Sequence, residues 1–294
     1  MKENVLRKRT GATVSSPRNF ITVGQLKMGL FLLLIVPSQF CYVQAAPQTG
    51  STKTEDTVAV GSEIPSSHQS QKSAQLNEQG AAFAQEAKFG KAEESLREAI
   101  SLDSQNLSAI FNLGSVLIQV GKLKEAVELL ETHSRRAGTD AGLFARLGDA
   151  YFTQKNIQKA QNAYERALAL DGTLPKIPAR LGTVYSLNNS LDKAIEQYLV
   201  AIQQEPENIE YLSNLVNLYL ATNEPQKAVS TAKRALQLKP SSQLYASLGA
   251  AYELQNEWEN SLIAFQRAKD LGEKSADVEE KIKILRKKTQ SSSS

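Results

Sequence analysis

Apolar residues recur along residues 73–275 in a pattern that repeats about every 34 positions. The clearest copies are Leu147-Gly148-Asp-Ala-Tyr151, Leu181-Gly182-Thr-Val-Tyr185 and Leu248-Gly249-Ala-Ala-Tyr252. In each copy the apolar residues lie at helical spacing, so they form one stripe along a helix. A second helical stretch follows, beginning with a small residue nine positions after the tyrosine. The period therefore predicts one helix pair copied along the chain.

Six copies of this pattern fit one frame, and we refer to them as units 1 to 6, with positions counted from the first residue of each unit. The units span 73–106, 107–140, 141–174, 175–208, 209–241 and 242–275. Small residues recur at positions 8, 20 and 27. We expect two helices to approach closely there, since a larger side chain would hold them apart. Turn formers lie between the predicted helices of a unit, namely Gly121, Asn156, Asn189, Asn223 and Pro225.

These units resemble the tetratricopeptide repeat (TPR) family. Leu-Gly, then Tyr three positions after the Gly, then Ala, and then an aromatic residue four positions later match the TPR motif. The tryptophan position of the motif is filled by Leu76, Ile110, Phe144, Pro178, Leu212 and Tyr245. The resemblance implies an all-α fold, a right-handed α-solenoid of about six TPR helix pairs stacked into one core.

The segments on either side of the repeats differ from them in composition. A C-terminal capping helix is predicted over 276–290, because Val278, Ile282 and Leu285 recur at helical spacing among charged residues. Residues 47–72 are rich in Ser, Thr, Gln, Gly and Pro, which predicts a disordered tether. The serines of 291–294 predict a disordered tail.

The N-terminal head has the order of an export segment. Residues 1–27 carry six basic residues against one acid, and residues 28–36 are apolar. Residues 1–46 are therefore predicted to be a signal peptide cleaved after Ala45, or an uncleaved membrane anchor spanning 28–46. Both alternatives place the N-terminus in the cytoplasm and the repeats in the periplasm, thylakoid lumen or extracellular space. An organellar transit peptide is a third alternative.

Charge and composition exclude several functions. Residues 71–294 carry 27 basic and 27 acidic residues, so they lack the basic surface of a nucleic-acid-binding domain. The two histidines are His68 in the tether and His133 at position 27 of unit 2, where the other units have alanine. We expect either looser packing at His133 or its exposure. No metal-ligand spacing, phosphate loop or nucleophile motif is present, so we predict no cofactor, no metal and no enzymatic activity.

The TPR resemblance implies that a protein partner lies along the inner face of the first helices, at positions that include 2, 6 and 9. The residues predicted to form this groove are Asn112, Arg146, Asp149, Lys176, Arg180, Asn214 and Asn217. Asn side chains both donate and accept hydrogen bonds, and Arg holds a carboxylate through two parallel hydrogen bonds. The alternative is an ordinary solvated helix surface, in which Asp149 neutralises Arg146 or Arg180.

The carboxylate clamp with which some family members hold chaperone C-termini is matched only in part. Lys176 and Arg180 correspond to its last pair, but Phe111, Ser115 and Arg146 occupy the earlier positions. We therefore expect no binding of Hsp70 or Hsp90 C-termini. Pro178 also predicts a late start of its helix, which would move Lys176 out of the groove.

Two functions stay open at this point. Resemblance to exported bacterial TPR proteins implies a non-catalytic interaction scaffold that holds partners during assembly of a membrane or envelope complex. Photosynthetic and pigment-biogenesis complexes are among the examples. The alternative is a non-catalytic subunit of a cell-wall or polysaccharide-export enzyme complex.

Overall fold

The structure, a computed structural model, describes residues 66–292. The predicted signal peptide or anchor, most of the predicted tether and residues 293–294 lie outside the described residues. The described part contains helices and no strand. The helices are α1 (Ser67–Gln85), α2 (Phe89–Leu102), α3 (Leu107–Gln119), α4 (Leu123–Ala137), α5 (Ala141–Thr153), α6 (Ile157–Leu170), α7 (Ile177–Leu187), α8 (Leu191–Gln204), α9 (Ile209–Ala221), α10 (Pro225–Leu238), α11 (Ser242–Leu254), α12 (Trp258–Asp270) and α13 (Ala276–Ser292).

Each odd-numbered helix from α1 to α11 packs against the even-numbered helix that follows it, and that helix packs against the first helix of the next unit. Short connections make the consecutive helices antiparallel. One hydrophobic core runs from Ala92 in α2 to Ala264 in α12. This arrangement confirms the predicted TPR-type α-solenoid. Among the described helices, none combines the length and apolar character needed to cross a membrane.

One residue in each unit adopts a left-handed backbone conformation directly after the first helix. These residues are Ala87, Gly121, Lys155, Asn189, Asn223 and Asn256, with φ between 57° and 79°. The N–H of the next residue bonds back to the carbonyl of position 11, as from Lys122 to Leu117 at 2.8 Å, and so ends the helix in a Schellman motif. In unit 3 the left-handed residue is Lys155. Asn156, predicted for this turn, instead caps α6 by accepting a hydrogen bond from the Lys159 N–H.

Position 8 brings the two helices of a unit close together. Five units have glycine there, opposite a large side chain at position 24. A Cβ atom on Gly148 would lie 2.5 Å from the ring of Tyr164, so no larger residue fits without moving that ring. Unit 5 reverses the sizes, with Val216 opposite Ala232, and both are fully buried. The packing therefore depends on the pair of side chains rather than on glycine alone.

The first helix begins earlier than the sequence predicted. α1 starts at Ser67, six residues before the predicted start of unit 1. Its N-terminus is a capping box, in which the Gln69 N–H donates to the Ser66 hydroxyl at 3.3 Å and the Ser66 N–H donates to Gln69 Oε1 at 2.9 Å. His68 therefore lies in the first turn of a helix and not in a disordered tether. The sequence did not predict this first turn, because its residues are polar and form no apolar stripe.

The packing at His133 also differs from the expectation. His133 is half-buried in α4, and the small residue buried in its place is Ser134, which is 3% exposed. The Ser134 hydroxyl donates to the Glu131 carbonyl at 3.3 Å. Burial, assisted by Arg136, lowers the pKa of His133. The buried side chain at this point of α4 is thus Ser134, one residue later, and His133 is neither exposed nor fully buried.

The last helix caps the solenoid. α13 packs against α12 and buries Val278, Ile282 and Leu285, as its sequence predicted. It ends at Ser292, so residues 291–292 of the predicted tail belong to this helix.

Candidate functional site

The predicted groove residues lie on the first helices of units 2 to 5, with one exception. Asn112 lies in α3, Arg146 and Asp149 in α5, Arg180 in α7, and Asn214 and Asn217 in α9. Lys176 precedes α7 as its N-cap, has a left-handed φ of 66° and is exposed. Pro178 lies at the start of α7, as expected. We refer to positions 6 and 9 of units 2 to 5 as the first-helix surface, and Lys176 does not belong to it.

Asp149 lies at the centre of this surface. Its Oδ2 accepts a hydrogen bond from Arg146 Nη1 at 2.9 Å, and its Oδ1 lies 2.5 Å from Arg180 Nη1. The Tyr164 hydroxyl also donates to Oδ1, at 2.8 Å. The side chains of Asp149, Arg146 and Arg180 are only 11%, 12% and 21% exposed. One carboxylate therefore links three helices, α5, α6 and α7, across the boundary between units 3 and 4.

In this cluster one buried carboxylate lies between two largely buried guanidinium groups. Burial lowers the pKa of Arg146, although the Asp149 carboxylate opposes the shift. Burial and then Asp149 raise the pKa of Tyr164 well above its ordinary value. The Arg146 guanidinium also stacks 4.4 Å above the ring of Phe111 from unit 2. Such stacking is typical of arginine and favours its cationic form.

A second polar network lies beside the first, between units 4 and 5. The hydroxyls of Thr183 and Tyr198 are 2.7 Å apart, and Asn214 Nδ2 donates to the Tyr198 hydroxyl at 3.0 Å. Burial raises the pKa of Tyr198 to about 12, so the phenol stays neutral at physiological pH. Tyr211 packs against it with ring centroids 6.4 Å apart.

Two amide contacts extend the polar surface to both sides. Asn112 Nδ2 donates to Asn77 Oδ1 in α1 at 2.8 Å. The Ser247 hydroxyl in α11 donates to Asn217 Oδ1 at 3.3 Å. Polar side chains thus contact one another at four unit boundaries, and between units 2 and 3 the contact is the stacking of Arg146 on Phe111. The structure places the predicted residues on the first-helix surface, apart from Lys176, and Asp149 contacts both arginines rather than one of them.

The family of the chain is decided by comparison with known repeats. A tetratricopeptide repeat-like domain model matches residues 38–176. A tetratricopeptide repeat model matches residues 145–209 and 213–276. The chain is a tetratricopeptide repeat protein. Known TPR structures resemble it along most of their length.

Three solved TPR structures illustrate the likeness. YrrB, described as a TPR protein with an unusual peptide-binding site, has a TM-score of 0.61 at 16% identity and covers 63% of this chain and 96% of its own. Two structures of MamA have TM-scores of 0.50 and 0.51 at 27% and 25% identity. They cover 54% and 57% of this chain, and 94% and 92% of their own. Among curated proteins, the chain has no match.

The tyrosines at position 24 of this TPR protein are functional-site candidates that the sequence reasoning missed. The repeat pattern identifies Tyr164 and Tyr198 only as the aromatic residues of the motif. Both are buried, and their hydroxyls reach the first-helix surface. A signal was present, because a buried tyrosine needs a hydrogen-bond partner where phenylalanine or leucine does not. Units 1, 2 and 6 have Leu96, Leu130 and Phe265 at this position.

The described part of the chain shows no cluster of three or more side chains suited to hold a metal ion. His133 lies in a second helix, away from the first-helix surface. What the surface offers chemically is hydrogen bonding and charge: neutral amides and hydroxyls on both flanks and two arginines at the centre.

Proposed function

We propose that this TPR protein is a non-catalytic interaction scaffold that binds a segment of a partner protein, a peptide or a helix, along the first-helix surface. The observation that carries the proposal is the row of polar side chains from Asn112 to Asn217, with Arg146 and Arg180 at its centre. Contacts to side chains of neighbouring units hold these residues in place. A surface fixed in this way loses little conformational entropy when a partner binds.

The charge of the centre favours an acidic partner segment. Arg146 and Arg180 bring two guanidinium groups to this centre, and they share the Asp149 carboxylate. A carboxylate of the partner would accept hydrogen bonds from the guanidinium groups. Arg180 is the more exposed of the two arginines. On this proposal Arg180 is the first contact for an acidic side chain or a C-terminal carboxylate.

The cellular role that we propose is assembly of a membrane or envelope complex, with the repeats on the exported side of the membrane. Its support is the order of charged and apolar residues in the N-terminal head. A photosynthetic or pigment-biogenesis complex is the narrower form of this proposal.

The test begins with a crosslinking pull-down from membrane and soluble fractions of the native host, which identifies the partner. The affinity of that partner for the purified chain is then measured with Arg146→Glu and Arg180→Glu combined. We expect loss of binding, because two reversals turn the centre strongly acidic. Circular dichroism checks that the double variant stays helical.

A matched control carries two charge reversals elsewhere. Lys124→Glu with Lys239→Glu changes the net charge equally, and both lysines are exposed outside the first-helix surface. We expect this control to bind the partner with unchanged affinity. Equal affinity of the arginine double variant and the wild type would contradict the proposal.

A further inference from the structure

The outer face of α13 carries an unusual order of charges. Glu280, Lys283, Ile284 and Lys287 are all exposed and lie at helical spacing, opposite the buried Val278, Ile282 and Leu285. Within the described residues, Glu280, Lys283 and Lys287 form no ion pair, whereas the flanking Lys281 and Glu279 pair with Glu253 and Lys269. Along the helix, the exposed face is thus acidic at Glu280, basic at Lys283, apolar at Ile284 and basic again at Lys287.

The helix dipole does not account for this order. The dipole favours acids in the first turn and bases in the last turn, and its effect falls off beyond them. Glu280 and Lys287 lie outside both end turns of Ala276–Ser292. Moreover, Lys283 and Lys287 are four residues apart, a spacing at which like charges repel. Glu280 lies three residues before Lys283, a favourable spacing, whereas Lys287 has no acidic residue three or four positions away.

We infer that the outer face of α13 binds the same face of a second copy in an antiparallel arrangement. A two-fold axis near residues 283 and 284 would place Glu280 of each copy beside Lys287 of the other. The exposed Ile284 side chains, each 39% exposed, would meet near the axis and lose contact with water. The Lys283 side chains lie equally near the axis, with their charged ends extended into water. The paired Glu280 and Lys287 make the interface self-complementary, as two-fold symmetry requires.

Charge complementarity favours a second copy over other occupants. An anionic membrane or an acidic protein would attract the lysines but would be repelled by Glu280, which lies on the same face. An open cleft of about 1110 Å³ between α12 and α13 borders the face and leaves room for the side chains of a second helix. One helix pair buries less than the roughly 1,200 Å² of stable complexes, so we expect a weak, salt-sensitive dimer.

The test is a charge swap measured by sedimentation equilibrium of the full chain at low ionic strength. Glu280→Lys and Lys287→Glu should each weaken dimerisation by at least about ten-fold, because each reversal creates two like-charge contacts across the axis. The double variant Glu280→Lys with Lys287→Glu should restore dimerisation. For the wild type, 1 M salt should abolish it, since the screening length is then about 3 Å.

Exposed charges elsewhere serve as controls. Glu207→Lys and Lys124→Glu are matched reversals outside α13, and we expect neither to change the dimer. Circular dichroism establishes that all variants fold. A wild type that is monomeric at every concentration, or a double variant that fails to recover, would overturn the inference. Tighter binding of Glu280→Lys to phosphatidylserine vesicles, without any dimer, would assign the face to an anionic membrane instead.

Discussion

Asp149 receives more hydrogen bonds from charged and hydroxyl groups than any other side chain of the first-helix surface. It contacts Arg146, Arg180 and Tyr164, which belong to three helices. The arginines are mostly buried, so their charges depend on the carboxylate between them. A buried ion pair adds little to stability over an apolar core, but breaking one is costly. The cluster is therefore both a proposed binding element and a structural link between units 3 and 4.

Replacing Asp149 with asparagine tests this dual role. Asp149→Asn keeps the size of the side chain and removes the charge, so two buried cations lose their shared counterion. We expect the free energy of unfolding to fall by roughly 3 kcal/mol, measured by urea denaturation. Asp270→Asn makes the same change at an exposed residue and should cost less than about 0.5 kcal/mol. Equal stability of the two variants would mean that Asp149 is not the counterion.

At the residue scale, the sequence predicted on which surface the side chains lie, but not which other side chains they contact. The 34-residue frame placed Asn112, Arg146 and Arg180 on one surface because position 6 recurs on the same side of each first helix. It did not predict that Tyr164 reaches Asp149, since an apolar pattern carries no information on where a hydroxyl group points. The prediction that these residues bind a partner stays a prediction.

At the scale of the helix pair, positions 8 and 24 act as one packing unit. A Cβ atom on Gly114 would lie 2.8 Å from the Leu130 side chain, and Leu130 is fully buried. Unit 5 keeps the same helix pairing with Val216 and Ala232. A large side chain is therefore tolerated on either helix of the pair, but not on both.

A double-mutant cycle in unit 2 tests this packing rule. Gly114→Val overfills the contact. Leu130→Ala leaves a cavity and should lower the free energy of unfolding by about 3 kcal/mol. The double variant Gly114→Val with Leu130→Ala reproduces the pair found in unit 5. We expect it to be more stable than either single variant by at least about 1 kcal/mol. Additive losses in thermal or urea denaturation would show that the two positions do not compensate.

The period predicted the helices because spacing alone distinguishes a helix from a strand. The period did not predict the helix ends that local hydrogen bonds or backbone conformation determine. The start of α1 depends on reciprocal hydrogen bonds between Ser66 and Gln69, and the sequence around them is polar. In unit 3 the left-handed conformation falls on Lys155 rather than on Asn156, although asparagine adopts it more readily. The Schellman geometry fixes this position relative to Tyr151, whichever residue occupies it.

At the scale of the whole solenoid, each helix contacts only its near neighbours. Stability is then approximately a sum of local terms, so a defect in one unit weakens that unit most. The C-terminal end is closed by Leu285, which is fully buried against the last repeat. Loss of this closure should not spread far along the chain.

Leu285→Ala tests how far a defect spreads. The cavity should cost roughly 3 kcal/mol locally, measured as faster amide hydrogen exchange in α12 and α13. Exchange in α3 to α6 should stay unchanged. Ile284→Ala, a neighbouring aliphatic truncation on the exposed face, should leave exchange of the isolated chain unaltered. Uniformly faster exchange along all helices would instead indicate one cooperative folding unit.

The contact between positions 8 and 24 lies inside a unit, whereas the contacts from Asp149 to Arg180 and from Tyr198 to Asn214 cross unit boundaries. The tolerance of the chain for inserted or deleted repeats therefore differs from one region to another. A duplicated unit inserted before residue 107 would bring its own internal packing and separate no charged pair of the central cluster. The same insertion between units 3 and 4 would separate Asp149 from Arg180 by a whole repeat. Changes in repeat number are therefore best tolerated near the ends, while units 3 to 5 form a block of fixed order.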